Sequence, residues 1–382
     1  MNDKGHFSVK ESSASQNGDI QPVKPRLADL LDEIDHIILK HVQLPKPVLG
    51  VLMAVWLAQT YCFMCFRSCG YLALRSATPR CGKTTLLRVL SRLAAGTPNI
   101  ETLPTPAVLF RDGQSVLMLD EVDRLKNADK EKYGEVMAVL NVGFEAGGVV
   151  RRCEGKAHTV TKYNVFSPKC MAGVEAVVDT LADRTFQTQM ERSPQRMPRL
   201  NLRVMDELFA QLRNGLQQWT EDHEPLIVQT YDALPDQLDC LQDFDDRFQD
   251  VSEPLVVLAT LADGQRPEGP KVLPRLLEGL KVAAGRREPS GRERELLAFL
   301  EVVEPILNLN GKDDTFIPTA TLVELCAERE DLSRIETGRA LAGFLRHFDL
   351  YPKPQSGKTR GYVVSRDWVK DWKARYPKKE AD

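Results

Sequence analysis

Net charge is nearly absent from this chain: 51 Lys and Arg against 54 Asp and Glu leave −3 over 382 residues. No global positive field therefore draws it to nucleic acid. Bases are scarcest over residues 221–263, where twelve acids stand against one base, Arg247; the stretch reads as solvated surface and should repel nucleic acid. No internal repeat recurs, so the fold is not read as a repeat array. No secretory pattern opens the chain and its eight cysteines are scattered, which makes a reduced, cytoplasmic setting the expectation. Cys62, Cys65 and Cys69 lack a convincing fourth ligand nearby and fall in an apolar run, a setting that favours buried thiols over zinc. That run, residues 48–66, has nineteen residues without a charge, long enough by count for a membrane span. Gly50, Gln59, Thr60 and Tyr61 interrupt it, and it leads directly into a strand, so a buried core helix is expected instead.

What the chain does contain is a phosphate-binding loop. Ala77, Thr78, Pro79, Arg80, Cys81, Gly82, Lys83 and Thr84 follow the G-x-x-x-x-G-K-[ST] pattern with Ala in place of the first Gly, a change tolerated if that residue keeps φ negative. The loop stands between an apolar strand, residues 71–76, and an amphipathic helix, residues 85–93, which is the context the motif requires. The backbone N–H groups of the loop between Thr78 and Thr85, of which Pro79 has none, and the positive helix end would wrap the nucleotide phosphates. Lys83 would reach the β and γ oxygens, and the Thr84 hydroxyl would ligate Mg²⁺. A lysine at an unrelated helix start would carry the same triplet, so a second motif matters. Residues 115–123 form an apolar strand ending in Asp120, Glu121 and Asp123, which suits the neighbouring core strand of a nucleotide-hydrolysing sheet. Asp120 would hold the Mg²⁺ shell and Glu121 would polarise the attacking water. The two motifs together point to an ATP or GTP site and to an enzyme that hydrolyses ATP.

Length is consistent with two or three domains. Residues 1–25 are polar and read as a disordered arm. The nucleotide-binding core is assigned to residues 26–192, beginning with a helix whose apolar positions run from Leu27 to Ile38. It includes a helix over 129–144 closed by Gly147 and Gly148, and then a hairpin with strands near 149–152 and 158–166. Residues 193–288 read as a helical lid, with helices at 202–221 and 245–261. Residues 289–382 form the last domain, where helices at 296–307, 319–329 and 335–347 precede a basic turn, 353–360, and a strand, 361–364. That order is the order of a winged helix-turn-helix, and from residue 346 to 379 ten bases outnumber three acids. Its wing, with Lys358 and Arg360, would meet phosphates, or the domain would bind protein.

In combination these residues carry a resemblance. Leu44 and Pro45, Trp56 with Thr60, the loop from Ser76 to Thr85, the acids from Asp120 to Asp123, Leu140 to Gly143 with Gly147 and Gly148, Met171 to Gly173, and Asp179 to Arg184 resemble domain-of-unknown-function family 3631 over residues 40–376. That family looks like a P-loop ATPase related to AAA+ proteins, often joined to primase-polymerases of phages, plasmids and integrated elements. No primase half is present in this chain, and Cys62, Cys65 and Cys69 have no family counterpart. The resemblance implies an α/β P-loop NTPase, AAA+-like, with a parallel sheet core, a helical lid and a winged-helix-like tail. It also places Ser167, with Asn164 second, at the first-sensor position at the end of a strand. Arg184 falls where similar ATPases carry an arginine at a subunit boundary, acting on a neighbour's phosphoryl group; the intrachain alternative pairs it with Asp183 or Asp179. The hairpin is similar in place and charge to the one that tracks DNA in viral superfamily III helicases. Arg151, Arg152, Lys156 and His158 would then be phosphate contacts, or else solubilising surface.

The function expected is an ATP-hydrolysing, helicase-like motor that forms a homo-oligomeric ring and acts on DNA without sequence choice, with ATP and Mg²⁺ as cofactors. The alternative is an ATP-dependent oligomeric switch in a phage-defence or mobile-element complex, answering to a protein partner without strand separation. A non-catalytic scaffold is a third reading, which Glu121 opposes.

Overall fold

The computed structural model describes residues 25–76, 80–102, 105–111, 115–121, 124, 129–154, 159–173, 179–235, 238–285, 291–311, 313–354 and 359–375. Ala77, Thr78, Pro79, Asp123, Lys156, His158, Lys358 and the arm over 1–24 lie outside the described residues. The chain divides into two compact units, Met1–Arg287 and Glu288–Asp382.

The first unit is built on strands β1 (Tyr71–Arg75), β2 (Ile100–Thr102), β3 (Leu117–Asp120), β6 (Lys169–Gly173) and β7 (Thr185–Gln189), in the order β2-β3-β6-β1-β7. Every pairing in this sheet is parallel. Strands β4 (Val149–Glu154) and β5 (Thr159–Asn164) form a separate antiparallel hairpin. The central strands read as continuous apolar runs because both faces are covered. Leu72, Leu74, Met118, Cys170, Ala172 and Phe186 join one core, while Tyr71, Leu117, Leu119 and Met171 join the other.

Helices cover both faces. Helices α1 (Leu27–His41), α2 (Val48–Cys62), α3 (Lys83–Leu93), α7 (Leu202–Asp232), α8 (Asp246–Gly264) and α9 (Val272–Gly285) contribute to the first core. Helices α4 (Pro106–Arg111) and α5 (Lys130–Val142) contribute to the second, and α6 (Asp179–Ala182) precedes β7. Residues 193–288, set apart as a lid in the sequence reading, therefore share one core with α1, α2 and the sheet. Gly279 shows how closely they pack: a Cβ there would stand 2.9 Å from the Val48 carbonyl on α2. Helix α7 runs beyond the expected end at Glu221 and carries Pro225 inside it. A proline costs one backbone hydrogen bond, and packing of Trp219 and Ile227, both buried, sustains the helix across it.

Residues 48–65 are apolar and long enough to cross a membrane, yet 72% of the segment is buried inside the protein. Two of its polar groups are paired there: Trp56 Nε1 donates to the Gly70 carbonyl at 2.8 Å, and Thr60 Oγ1 donates to the Leu57 carbonyl at 2.6 Å. Burial pushes the Cys62 thiol well above its usual range and that of Cys69 up to about 12. Among the described residues no three His, Cys, Asp or Glu side chains are grouped to hold a metal.

The second unit runs α10 (Gly291–Asn310), β8 (Asp314–Pro318), α11 (Thr319–Ala327), α12 (Gly338–Leu345), β9 (Lys353–Pro354), β10 (Arg360–Ser365) and α13 (Arg366–Arg375). Its sheet is antiparallel in the order β8-β10-β9. Strand β8 is absent from the sequence reading; it holds only five residues and ends in proline. Thr337 caps α12, its hydroxyl accepting from the Ala340 amide at 3.2 Å.

Candidate nucleotide site

The loop after β1 reaches helix α3 through two left-handed residues, Arg80 (φ 64°) and Gly82 (φ 89°). Around Gly82 there is room for a side chain, since a Cβ would come no closer than 3.6 Å to Val42. Its backbone angle is what calls for glycine. Gly82 is also the N-cap of α3 and offers no side-chain cap, so the first amides of the helix keep their donors for an anion. Cys81 is buried, Lys83 and Thr85 are half-buried, and Thr84 is exposed.

Lys83 Nζ donates to the Gly173 carbonyl at 2.7 Å, so the ammonium stands over the C-terminal end of β6. Asp120, the last residue of β3, is in register with Ala172, one residue before that carbonyl. Lysine and carboxylate thus converge on one rim of the sheet. Strand β6 lies between β1 and β3, which corrects the expectation that the strand of Asp120 directly neighbours that of the loop. Asp120 Oδ1 accepts from the Glu121 amide at 2.9 Å. Glu121 has φ 57°, a left-handed angle that strains a residue with a side chain, and its carboxylate pairs with Arg124 at 2.9 Å. The Asp120 carboxylate and the Thr84 hydroxyl are hard oxygen donors of the kind Mg²⁺ takes alongside substrate phosphates.

The loop opens into a cleft of about 1260 Å³. One wall is His41, Val42 and Gln43 at the end of α1; another is the segment 192–203, which follows β7 and runs into the first turn of α7. This segment is held in place twice, by the Met190 amide on the Arg75 carbonyl at 2.6 Å and by His41 Nδ1 at 3.0 Å from the Pro198 carbonyl. Arg80, Lys83, Arg88, Arg192, Arg196, Arg199 and Arg203 line the cleft, and among the described residues its lining includes no Asp or Glu. The sequence reading takes the arginine-rich stretch after residue 191 as a domain exit; in the structure its recurrent arginines, at 192, 196, 199 and 203, line one wall of the cleft.

Ser167 and Asn164 stand elsewhere. Ser167 precedes β6 and so lies on the rim opposite Gly173; it is fully buried and its oxygens accept from Lys169 Nζ at 2.8 and 3.1 Å. Asn164 Oδ1 accepts from the Phe166 amide at 3.1 Å. Neither reaches the loop, because the apolar Val165 and Phe166 belong to the connection ahead of β6, and the strand that ends at the site is β6 itself.

Arg184 also sits on the far rim, immediately before β7. Its Nη1 donates to Asn141 Oδ1 at 3.2 Å and its guanidinium lies 4.5 Å from the Phe144 ring centre. Asp183 pairs with Arg247 at 2.6 Å. On the hairpin, alternation separates the two arginines: Arg151 is exposed and opposite Lys162, also exposed, whereas Arg152 turns inward to Glu135 at 2.7 Å and lies over Phe110 at 4.5 Å. Arg152 is thus engaged within the chain, and Lys162 is a surface cation that the sequence reading passes over. In the second unit Arg360 and Lys353 are exposed at β10 and β9, and Arg339 and Arg346 are exposed at and just beyond α12.

No family model matches the chain, and no curated protein matches it. Among solved structures it is similar to one described as "SCCmec type IV Cch - active helicase", at 8% identity and a TM-score of 0.45, over 90% of this chain and 71% of that one. Another is described as "Structure of Drosophila ORC bound to DNA", at 12% identity and a TM-score of 0.23, over 95% and 96% of the two chains.

Proposed function

We propose that this chain is a P-loop ATPase of the AAA+-like type, of the kind that domain-of-unknown-function family 3631 exemplifies, working as an oligomeric motor on DNA. The observation that carries the reading is the meeting of the Lys83 ammonium with the end of β6, one strand away from Asp120. A glycine-turned loop, an uncapped helix start, a lysine and a carboxylate on one rim of a parallel sheet form a phosphate-and-metal site. Magnesium, when bound, would draw charge from the phosphates. Lys83 would exchange the Gly173 carbonyl for phosphate oxygens, and Glu121, once released from Arg124, would orient water. Arg184 stands too far from its own loop to serve it, and in the proposed oligomer it serves the neighbour's. Arg151 with Lys162, and Arg360 with Lys353, supply phosphate contacts without base reading; the second unit takes the part of a winged helix.

Steady-state hydrolysis of ATP with and without single-stranded DNA tests this reading. Wild type should turn over and be stimulated by DNA, Lys83→Ala should lose nucleotide binding, and Glu121→Gln should bind ATP yet turn over at least about a hundredfold more slowly. Hydrolysis indifferent to DNA in every condition would favour the partner-controlled switch. Unimpaired turnover by Glu121→Gln would remove that residue from its role.

A further inference from the structure

The cleft holds more positive charge than a nucleoside triphosphate with its magnesium can neutralise. Lys83 has a protein partner, but Arg80, Arg88 and the four arginines of segment 192–203 have no carboxylate within ion-pair distance among the described residues. All four on the segment are exposed. Elsewhere on this unit arginines are interspersed with acids, as the buried Arg266 and the half-buried Arg275 are with Asp29, Asp32 and Asp35. A concave surface lined by one sign of charge focuses its field and raises the local concentration of the opposite ion. Arginine adds to that field a planar fork that fits phosphate oxygens bidentately.

The two sources of cations are separate in the chain. Arg80, Lys83 and Arg88 belong to the loop and to α3, and they surround the position of the phosphates that the loop amides wrap. Segment 192–203 faces them as a strap across the cleft, fastened by His41 and by the end of β7. Among the described residues no Phe, Tyr or Trp lines the cleft, and His41 is engaged with the Pro198 carbonyl, so the strap side is dominated by its arginines. What the strap offers is positive charge and hydrogen-bond donors of the kind that suit phosphate.

We propose that Arg192, Arg196, Arg199 and Arg203 form a phosphate-counting clamp, which takes phosphate groups beyond those covered by the loop and makes the site prefer longer phosphate chains. The ligand class is a nucleoside polyphosphate whose chain continues past the third phosphate. This rests on the nucleotide reading of the loop, and goes beyond it by assigning selectivity to residues outside the motif.

The test is displacement of a fluorescent nucleotide from the full chain, with magnesium, by adenosine di-, tri- and tetraphosphate and by inorganic tripolyphosphate. Wild type should bind tetraphosphate more tightly than triphosphate by about tenfold, the worth of one charge-assisted contact. Arg196→Gln combined with Arg199→Gln should abolish that step and keep the step from di- to triphosphate, which belongs to the loop. Both side chains are exposed and without an ion-pair partner among the described residues, so the fold should tolerate the change, and a thermal melt checks it. Equal affinity of wild type for tri- and tetraphosphate would overturn the proposal, as would a double variant that weakens all three nucleotides alike. Inorganic tripolyphosphate should displace the probe from wild type better than from the double variant; no difference would also count against the clamp. Lys83→Ala separates the two readings: wild-type affinity in that variant would remove the nucleotide site and the clamp with it.

Discussion

Lys169 is fully buried at the first position of the central strand β6. Its ammonium donates to the carbonyls of Gly143, Val165 and Ser167 at 3.2, 2.9 and 2.8 Å, and stands 5.0 Å from the centre of the Tyr71 ring. It therefore ties the end of α5 and the exit of the hairpin to the strand whose other end receives Lys83. Gly143 is glycine for the same reason: a Cβ there would stand 2.5 Å from the Val165 carbonyl and 2.7 Å from the ammonium. Burial pushes the Lys169 amine down to about 7, below the 10.5 of a free lysine. The folded state then holds fewer protons than the unfolded chain between those two values, so this residue's contribution to stability rises as pH climbs from 7 toward 10. Lys169→Met should cost on the order of 3 kcal/mol, through the Val165 and Ser167 carbonyls losing the donor that Lys169 gives them, and should flatten that pH slope. Urea denaturation at pH 7 and at pH 9.5 measures both, and a slope unchanged by the substitution would refute the assignment. The candidate residues Lys83, Asp120 and Glu121 are legible in the sequence because a phosphate-loop pattern and an acidic strand end are each written in contiguous residues. Lys169 is not, because a charge at the head of an apolar run, behind Pro168, hides the strand that it begins.

The element most exposed to misreading is the β4–β5 hairpin. Its existence and approximate bounds follow from composition, but which of its arginines faces outward depends on pairing register, which a string of residues does not state. Register puts Arg151 opposite Lys162 on the open face and turns Arg152 inward onto Glu135 and Phe110. Reversing Arg151 and Lys162 together to Glu should lower the salt slope of DNA binding by about two and blunt DNA-stimulated hydrolysis, while leaving the melting temperature nearly unchanged. Arg152→Glu should instead lower the melting temperature, because it sets a carboxylate against Glu135. Equal effects of the two changes on DNA binding and on melting would contradict this division of labour. The same limit explains Ser167: it is a polar residue after two apolar ones, indistinguishable in sequence from a strand end, and only the order β3-β6-β1 shows which strand terminates at the site.

At the scale of the whole molecule, the two rims of the parallel sheet carry different halves of the proposed chemistry. The loop and Asp120 are on one rim, and Arg184 is on the other, roughly 17 Å away along five-residue strands. If Arg184 acts on a neighbour, Arg184→Ala alone should lose about a thousandfold or more in hydrolysis. A mixture with Lys83→Ala should recover part of it, because one chain keeps an intact loop and the other an intact arginine. Mixed oligomers that stay inactive at every ratio would return Arg184 to a purely intrachain role with Asn141 and Phe144. The helices α7 to α9 read from sequence as a separate lid because Pro194, Pro198 and the arginine-rich stretch around them suggest a boundary, while their burial in the core shared with α2 is a matter of long-range packing that local composition does not encode.

The opposed placement of Lys83 and Arg184 has an arithmetical consequence. A two-fold contact between antiparallel copies would bring the Arg184 end of each to the loop end of the other and complete both loops at once, whereas each head-to-tail contact completes a single loop. In an open row of such contacts one terminal loop always goes without an arginine, and it is only when the row closes that every loop is completed. Specific activity per chain should therefore climb with protein concentration and level off where the row closes, and a small admixture of Arg184→Ala chains should remove activity in simple proportion to the loops they leave uncompleted.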